Sequence, residues 1–176
     1  RSTLFPYTTL FRSRDILYNV PGRTGINMTA QTTLRIAREF KNVIGVKEAS
    51  GKMDQIKEII DNAPDHFKVI VGDDSLAMEA IQNGSVGVIS VIGNAIPKTF
   101  GKLVHLSMEG KFSEAASIQE QLDPLYGLLF KEGNPCGVKA LMANQKKLEN
   151  VMRLPLVPVS AALHDEITKG FAGIKE

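Results

Sequence analysis

Apolar runs and amphipathic stretches alternate along the chain from residue 15 to residue 108. Short runs rich in β-branched residues predict four strands, at 15–20, 43–47, 67–71 and 86–91. Apolar residues at helical spacing follow the strands and predict four helices, at 29–40, 52–61, 75–82 and 97–108. Because each connection between strands is long enough for a helical crossover, the pattern predicts parallel βα units.

The ends of these helices carry residues that suit such positions. Thr29 is a candidate N-cap, because its hydroxyl can accept a hydrogen bond from an N–H of the first turn. Pro97 suits a first helical turn, and Gly84 and Gly110 suit the positions at which helices end. The local signals therefore agree with the periodicity of the apolar residues.

The strand pattern does not return after Gly110. Helical spacing resumes at 111–130, 134–146 and 161–171, while residues 154–159 contain two prolines and are expected to be extended. These patterns predict a βα region over residues 15–110 and a helical C-terminal extension over residues 111–176. Residues 1–14 (RSTLFPYTTLFRSR) share no period with the βα region and resemble translated sequencing-adapter read-through. We therefore expect a non-native leader, and a native chain that starts upstream.

Composition narrows the classes of function. The 176 residues are 43% hydrophobic and 23% charged, and a net charge of +2 gives no reason to expect a nucleic-acid partner. No apolar run reaches the ~18 residues of a membrane-spanning helix, so no membrane partner is expected. Cys136 is the single cysteine, which excludes an internal disulfide and fits the reducing cytoplasm. The three histidines show no metal-ligand spacing.

Distinctive residues follow the predicted strands at their C-terminal ends: Tyr18, Lys47, residues 72–74 and residues 89–90. In a (β/α)8 barrel the active site is built at these ends, from several strands. A doubly wound sheet usually centres its site on a phosphate loop, and neither a GxGxxG nor a Walker sequence occurs here. The pattern therefore favours an α/β fold of the barrel type.

Several of these residues have both a chemical and a purely structural interpretation. Lys47 can form a Schiff base if it is partly buried, although a lysine that reaches solvent or pairs with a carboxylate is more common. Tyr18 can move protons or can pack as a lining aromatic. Arg23, in a glycine-flanked turn, suits a substrate carboxylate but can also be a solvated loop charge. Asp73 and Asp74 can take part in acid–base chemistry, but such residues more often cap a following helix, and Asp74 or Ser75 suits that position.

Four ordered motifs together resemble one enzyme family: residues 18–25 (YNVPGRTG), 46–51 (VKEASG), 71–74 (VGDD) and 87–91 (GVISV). Two later segments, 132–139 (EGNPCGVK) and 153–156 (RLPL), are included in the match. The resemblance is to the pyruvate-dependent class I aldolases of the dihydrodipicolinate synthase and N-acetylneuraminate lyase superfamily. It runs from about Ile16 to the C-terminus, and Arg23 points to the synthase branch.

The resemblance implies roles for five residues. Lys47 would form a Schiff base with pyruvate, and Tyr18 would donate and accept protons. The backbones of Gly72 and Ile89 would line the pyruvate pocket, and Arg23 would hold the carboxylate of aspartate 4-semialdehyde. The implied product is 4-hydroxy-tetrahydrodipicolinate, on the route to diaminopimelate and lysine. No metal or organic cofactor is implied.

Only part of the family's barrel is predicted in this chain. A barrel of this type takes about 250 residues and eight strands, so we expect the C-terminal half of a (β/α)8 barrel, with about four βα units. The resemblance implies that the other half carries a glycine-threonine-threonine loop for the pyruvate carboxylate and a second tyrosine of the proton relay. It also implies a homo-oligomeric, homotetrameric full-length parent. The chain alone is therefore expected to be inactive, with sheet edges that favour self-pairing.

Two other functions stay open at this point. One is another aldolase of the superfamily, acting on N-acetylneuraminate or on 2-keto-3-deoxy sugar acids. The other belongs to a different class, a non-catalytic half-barrel that serves as an interaction module.

Overall fold

The computed structural model of the chain describes residues 13–174 and residue 176. These residues divide into two units, the first ending at Ile89 and the second beginning at Ser90. The predicted leader over residues 1–14 lies almost wholly outside the described residues, so it stays a prediction.

A parallel sheet of three strands forms the centre of the first unit. The strands are β1 (Asp15–Asn19), β2 (Val43–Glu48) and β3 (Lys68–Val71), in the order β1-β2-β3. The register places Tyr18 opposite Lys47, and Lys47 opposite Ile70. These strands and their parallel direction confirm the βα pattern predicted from the sequence.

Helices cover one face of this sheet. The first unit contains α1 (Pro21–Thr24), α2 (Ala30–Glu39), α3 (Met53–Asn62) and α4 (Ala77–Gln82). Helix α2 packs on β2 and on α3, while α3 packs on β3. Ala37, Val46 and Ile56 are fully buried in this unit. Thr29 is the N-cap of α2, as predicted, and its side chain accepts a hydrogen bond from the Thr32 N–H.

The predicted fourth strand, at residues 86–91, is wrong as a strand. Within the described residues, this segment forms one isolated bridge, between Val71 and Val88. Its amides still reach β3, because the Ile89 N–H donates to the Val71 carbonyl at 2.9 Å. Gly87 has φ +152°, which L side chains rarely adopt and which interrupts an extended strand. A short 3₁₀ turn follows at Ile92–Asn94.

The second unit is helical. It contains α5 (Pro97–Met108), α6 (Phe112–Phe130), α7 (Cys136–Asn144) and α8 (Ala161–Phe171). Helix α6 packs against α5, α7 and α8. The core of the second unit is built from aliphatic side chains that are at most 1% exposed: Leu103, Leu122, Leu125, Leu129, Leu141, Leu163 and Ile167. The helices predicted after Gly110 are thus confirmed, and Cys136 is buried at the start of α7.

The segment between α7 and α8 differs in detail from the prediction. The prolines do exclude a helix there, but a turn precedes the extended part, with the Leu156 N–H donating to the Arg153 carbonyl at 3.0 Å. Among the helices of the described chain, none combines the length and apolar character that crossing a membrane requires.

Candidate active site

Tyr18 and Lys47 come together on neighbouring strands. They are register partners in β1 and β2, and the Lys47 Nζ lies 4.3 Å from the centroid of the Tyr18 ring. Tyr18 is 50% exposed and Lys47 is partly buried. An ammonium at this distance over an aromatic face is stabilised by a cation–π interaction. The Lys47 side chain therefore packs on Tyr18 instead of extending into solvent.

Gly72 directly adjoins Lys47. A Cβ added to Gly72 would lie 3.1 Å from the Lys47 Cε and 2.5 Å from the Ala49 Cβ. The Gly72 N–H donates to the Glu48 carbonyl at 2.7 Å, which extends the pairing of β2 and β3 by one residue. The close approach of the two strand ends therefore requires glycine at this position.

Arg23 and Ile89 lie in the same unit as Lys47, Arg23 beyond the end of β1 and Ile89 beside the end of β3. The Ile89 side chain is 46% exposed, and its amide is bonded to the end of β3. Arg23 lies in the one-turn helix α1, where the sequence predicted a turn, and it is exposed. Gly25 closes that helix at φ +73°, with its N–H donating to the Pro21 carbonyl. The predicted roles of Arg23 and Ile89 stay predictions.

Asp73 borders the same strand end as Gly72. Its Oδ2 accepts a hydrogen bond from the Gly51 N–H at 3.1 Å. Burial raises the pKa of the Asp73 carboxyl, a shift that the Gly51 hydrogen bond and the charge of Lys47 partly oppose. Asp73, one residue before the predicted caps, is the N-cap of the 3₁₀ turn Asp74–Leu76. Its side chain makes no capping bond there.

A polar cluster lies behind these residues. The motifs at 18–25 and 46–51 contain three of its members, but no role was predicted for them. We call it the Glu48 cluster; it consists of Asn19, Asn27, Glu48, Ser50 and Gln55. Glu48 is 0% exposed and Asn19 is 2% exposed. The Asn19 Nδ2 donates to both carboxylate oxygens of Glu48, at 2.9 and 3.0 Å. The signal in the sequence was the position of Asn19 and Glu48, directly after Tyr18 and Lys47 in alternating strands.

No metal centre accompanies this arrangement in the described part of the chain. Among residues 13–174 and 176, no three side chains of histidine, cysteine, aspartate or glutamate are grouped so that they could hold a metal ion.

Comparison with known proteins decides the family. The sequence model of the dihydrodipicolinate synthetase family matches residues 9–172. The chain belongs to this family. Among the curated relatives, 4-hydroxy-tetrahydrodipicolinate synthase of Phocaeicola vulgatus is 54% identical over 143 residues, which are 81% of this chain and 48% of that protein. The synthase of Parabacteroides distasonis is 51% identical over 152 residues, covering 86% and 51% of the two chains.

Solved structures of dihydrodipicolinate synthases share the fold. The enzyme from Thermotoga maritima superposes with a TM-score of 0.86 at 36% identity, covering 91% of this chain and 56% of that one. A dihydrodipicolinate synthase variant described as monomeric gives 0.85 at 35% identity, covering 94% and 57%. The chain thus spans about half the length of the family members it matches. The α/β fold and its relation to a barrel enzyme are confirmed, while the extent of the barrel stays a prediction.

Proposed function

We propose that this chain carries the Schiff-base half of a 4-hydroxy-tetrahydrodipicolinate synthase, a cytoplasmic lyase of lysine and diaminopimelate biosynthesis. The observation that supports this most is the Lys47–Tyr18 contact at 4.3 Å, in a chain that belongs to the dihydrodipicolinate synthetase family. Two curated relatives of this name have sequence identities of 54% and 51% with the chain over the matched residues. Their shared name favours this reaction over that of a sugar-acid aldolase.

The proposed chemistry starts at the Lys47 amine. The neutral Nζ attacks the carbonyl carbon of pyruvate and gives a carbinolamine, which loses water to form an imine. Both steps move protons at the reacting oxygen and nitrogen, and the Tyr18 hydroxyl is the proposed donor and acceptor. The half-exposed Tyr18 ring leaves its surroundings open to a small substrate.

The second substrate adds to the enamine that forms when the imine loses a methyl proton. The enamine carbon attacks the aldehyde of aspartate 4-semialdehyde, and cyclisation through the substrate amine releases Lys47 with 4-hydroxy-tetrahydrodipicolinate as the product. We assign Arg23 to the carboxylate of the aldehyde, because a guanidinium can make two parallel hydrogen bonds to it. The backbones of Gly72 and Ile89 are assigned to the pyruvate pocket.

The remaining contacts to pyruvate are proposed to come from residues outside this sequence. The chain spans about half the length of its relatives, and the sheet face that bears Tyr18 and Lys47 is partly open in the described residues. We therefore expect little Schiff base from this chain alone. Activity and homo-oligomeric assembly are proposed for a completed chain. We define it as this sequence from Asp15 onward, preceded by the residues of the Phocaeicola vulgatus relative that come before the position aligned with Asp15.

Borohydride trapping tests the proposal. The completed chain is incubated with pyruvate, reduced, digested and analysed by mass spectrometry. We expect a reduced pyruvate adduct on the peptide that contains Lys47, and none in the Lys47→Ala variant. Lys68→Ala is the matched control, because Lys68 is an exposed lysine of the neighbouring strand β3. An adduct that persists in Lys47→Ala would contradict the proposal.

The proposed role of Arg23 is tested by measuring the turnover of the second substrate. With Arg23→Ala in the completed chain, we expect kcat/KM for aspartate 4-semialdehyde to fall by about tenfold to a hundredfold, because a charge-assisted contact to its carboxylate is lost. The rate of pyruvate trapping should stay unchanged. Faster turnover of a sugar acid than of the semialdehyde by the unsubstituted completed chain would favour the other aldolase function instead.

A further inference from the structure

The alternation of β1 and β2 places two residue pairs on opposite faces of the sheet. Tyr18 faces Lys47 in the register, and the next pair along the same strands is Asn19 with Glu48. Successive side chains of a strand point to opposite faces. The reactive pair therefore lies on one face, and the buried polar pair lies directly behind it on the other.

Glu48 accepts hydrogen bonds at both carboxylate oxygens. The Oε1 accepts from the Asn19 Nδ2 at 2.9 Å and from the Ser50 N–H at 2.8 Å. The Oε2 accepts from the same Asn19 amide at 3.0 Å and from the Gln55 Nε2 at 3.1 Å. These donors are all neutral, and they belong to β1, to the turn after β2 and to helix α3. One carboxylate thus joins three parts of the first unit.

The cluster also fixes the segment that leads into α2. The Asn19 Oδ1 accepts from the Met28 N–H at 3.0 Å, and its Nδ2 donates to the Asn27 Oδ1 at 2.9 Å. Asn27 in turn donates to the Gln55 Oε1 at 2.9 Å. Asn19 therefore has little freedom to rotate or to slide along Glu48, so the ends of β1 and β2 are held in one register.

Burying a carboxylate of this kind is costly, because it loses water and gains only neutral donors. We propose that Glu48 and Asn19 are positioning residues that hold the Lys47 amine against Tyr18 in the geometry for Schiff-base formation. The proposal rests on the proposed function, in that Schiff-base chemistry is what the geometry would serve. The two residues act through the backbone, because each is bonded across the two strands and directly follows a reactive residue in sequence.

Nuclear magnetic resonance tests the geometry without any substrate. In this chain labelled with ¹³C-lysine, the Tyr18 ring should shift the Lys47 ε-methylene resonance upfield, and the Lys47→Arg variant assigns the signal. We expect Glu48→Gln to move this resonance toward that of an exposed lysine, because an amide NH2 would then face the donors of Asn19, Ser50 and Gln55. Glu58→Gln is the matched control, since Glu58 is an exposed glutamate of α3. It should leave the resonance in place.

This readout separates positioning from stability. A role in stability alone would lower the folded fraction, yet the resonance of the molecules that remain folded would not move. A Glu48→Gln protein that keeps the upfield shift therefore overturns the proposal. If Glu48→Gln does not fold, Gln55→Met decides, because it removes one donor to the carboxylate and leaves the Asn19 bonds. A partial loss of the shift supports the proposal, and an unchanged shift overturns it.

Kinetics in the completed chain provide a second, independent test. We expect Glu48→Gln to lower the rate constant for formation of the trapped pyruvate adduct by roughly tenfold to a hundredfold, because small displacements of a reacting group slow a reaction to this extent. The final yield per folded molecule should stay unchanged. An unaltered rate constant with a reduced yield would show a role in stability only and would overturn the proposal. If the unsubstituted completed chain forms no adduct, the proposed function fails, while the resonance measurement still decides the positioning role.

Discussion

Gly72 sets the space available to the Lys47 side chain. The ends of β2 and β3 approach so closely that a methyl group on Gly72 would overlap Ala49 and crowd the Lys47 Cε. Overlap with a short side chain on a paired strand cannot be relieved by rotation about a side-chain bond, so the strands themselves would have to separate. A single hydrogen at this position therefore controls both strand packing and the placement of the amine.

Gly72→Ala should lower the free energy of unfolding by about 1–3 kcal/mol, as overpacking typically does. It should also reduce pyruvate trapping on Lys47 in the completed chain. Gly101→Ala is the control, because Gly101 lies in helix α5 with nothing within 4 Å of an added Cβ. It should be neutral or stabilising by up to about 1 kcal/mol. Equal effects of the two substitutions in urea unfolding would contradict the prediction.

The raised pKa of the Asp73 carboxyl predicts that this residue stabilises the folded protein more at low pH than at high pH. Burial raises the pKa of its carboxyl above the ordinary 3.8, so the folded protein binds this proton more tightly than the unfolded chain does. The resulting contribution to stability is fully present below pH 3.8 and is lost as the pH rises through the raised pKa. Asp73→Asn cannot titrate. As the pH rises from 3.8 through the raised pKa, the unfolding free energy of Asp73→Asn should therefore increase relative to that of the unsubstituted protein. Urea unfolding at a series of pH values measures this difference. A difference that widens toward acid pH would contradict this.

At the scale of elements, helix α8 shows how a predicted boundary is stabilised. It begins at Ala161, as its apolar spacing predicted, and Ser160 is its N-cap. The Ser160 Oγ accepts from the Leu163 N–H at 3.3 Å, while the Ser160 hydroxyl and N–H both donate to the Glu132 carboxylate. The hydrogen bond from the Ser160 hydroxyl lowers the pKa of Glu132 most, and the bond from the Ser160 N–H lowers it further. The cap thus ties α8 to the segment that follows α6.

Ser160→Ala should lower the free energy of unfolding by about 1 kcal/mol, within the usual range of about 0.5–2 kcal/mol for the loss of a serine cap. Ser117→Ala is the matched control, because Ser117 is exposed in the interior of α6. Alanine is the better helix former there, so the control should be neutral or slightly stabilising. Urea unfolding measures both. A loss of stability in Ser117→Ala as large as in Ser160→Ala would argue against the capping role.

Elements with strong local signals could be predicted from the sequence, and those that depend on backbone geometry could not. Thr29, Pro97 and Gly110 marked helix ends correctly, because caps and breakers act within a few residues. The strand predicted at 86–91 failed, since its β-branched residues do not reveal the positive φ of Gly87. Motif resemblance predicted roles for Lys47 and Tyr18, which the structure places in contact, and these roles stay predictions. The Glu48 cluster was not predicted, because its partners are distant in sequence.

At the scale of the whole molecule, the described sheet ends at β1. In the described part of the chain, the sheet order places no strand beyond β1, and Ile16 is 50% exposed. An uncovered strand edge with an apolar side chain is a template for pairing with another chain.

Ile16→Lys should reduce concentration-dependent self-association of this chain, because a charged side chain on an edge strand disfavours edge-to-edge pairing. Sedimentation velocity over a series of concentrations measures the effect. Ile26→Lys is the control: Ile26 is 75% exposed but lies outside the strands. Equal reductions in both variants would indicate that net charge, and not the β1 edge, governs association.

The proposed nucleophile and its proposed anchor are encoded by adjacent codons. Lys47 and Glu48 are consecutive in β2, and they point to opposite faces because a strand alternates. One codon inserted upstream within β2 would turn each later side chain to the other face. Lys47 would then lie opposite Asn19 and be buried, Val46 would lie opposite Tyr18, and the Glu48 carboxylate would stand one position further along, on the face that bears Tyr18. A substitution in β2 changes one side chain at a time. An insertion of one residue would exchange the side chains of the two faces in a single mutational step.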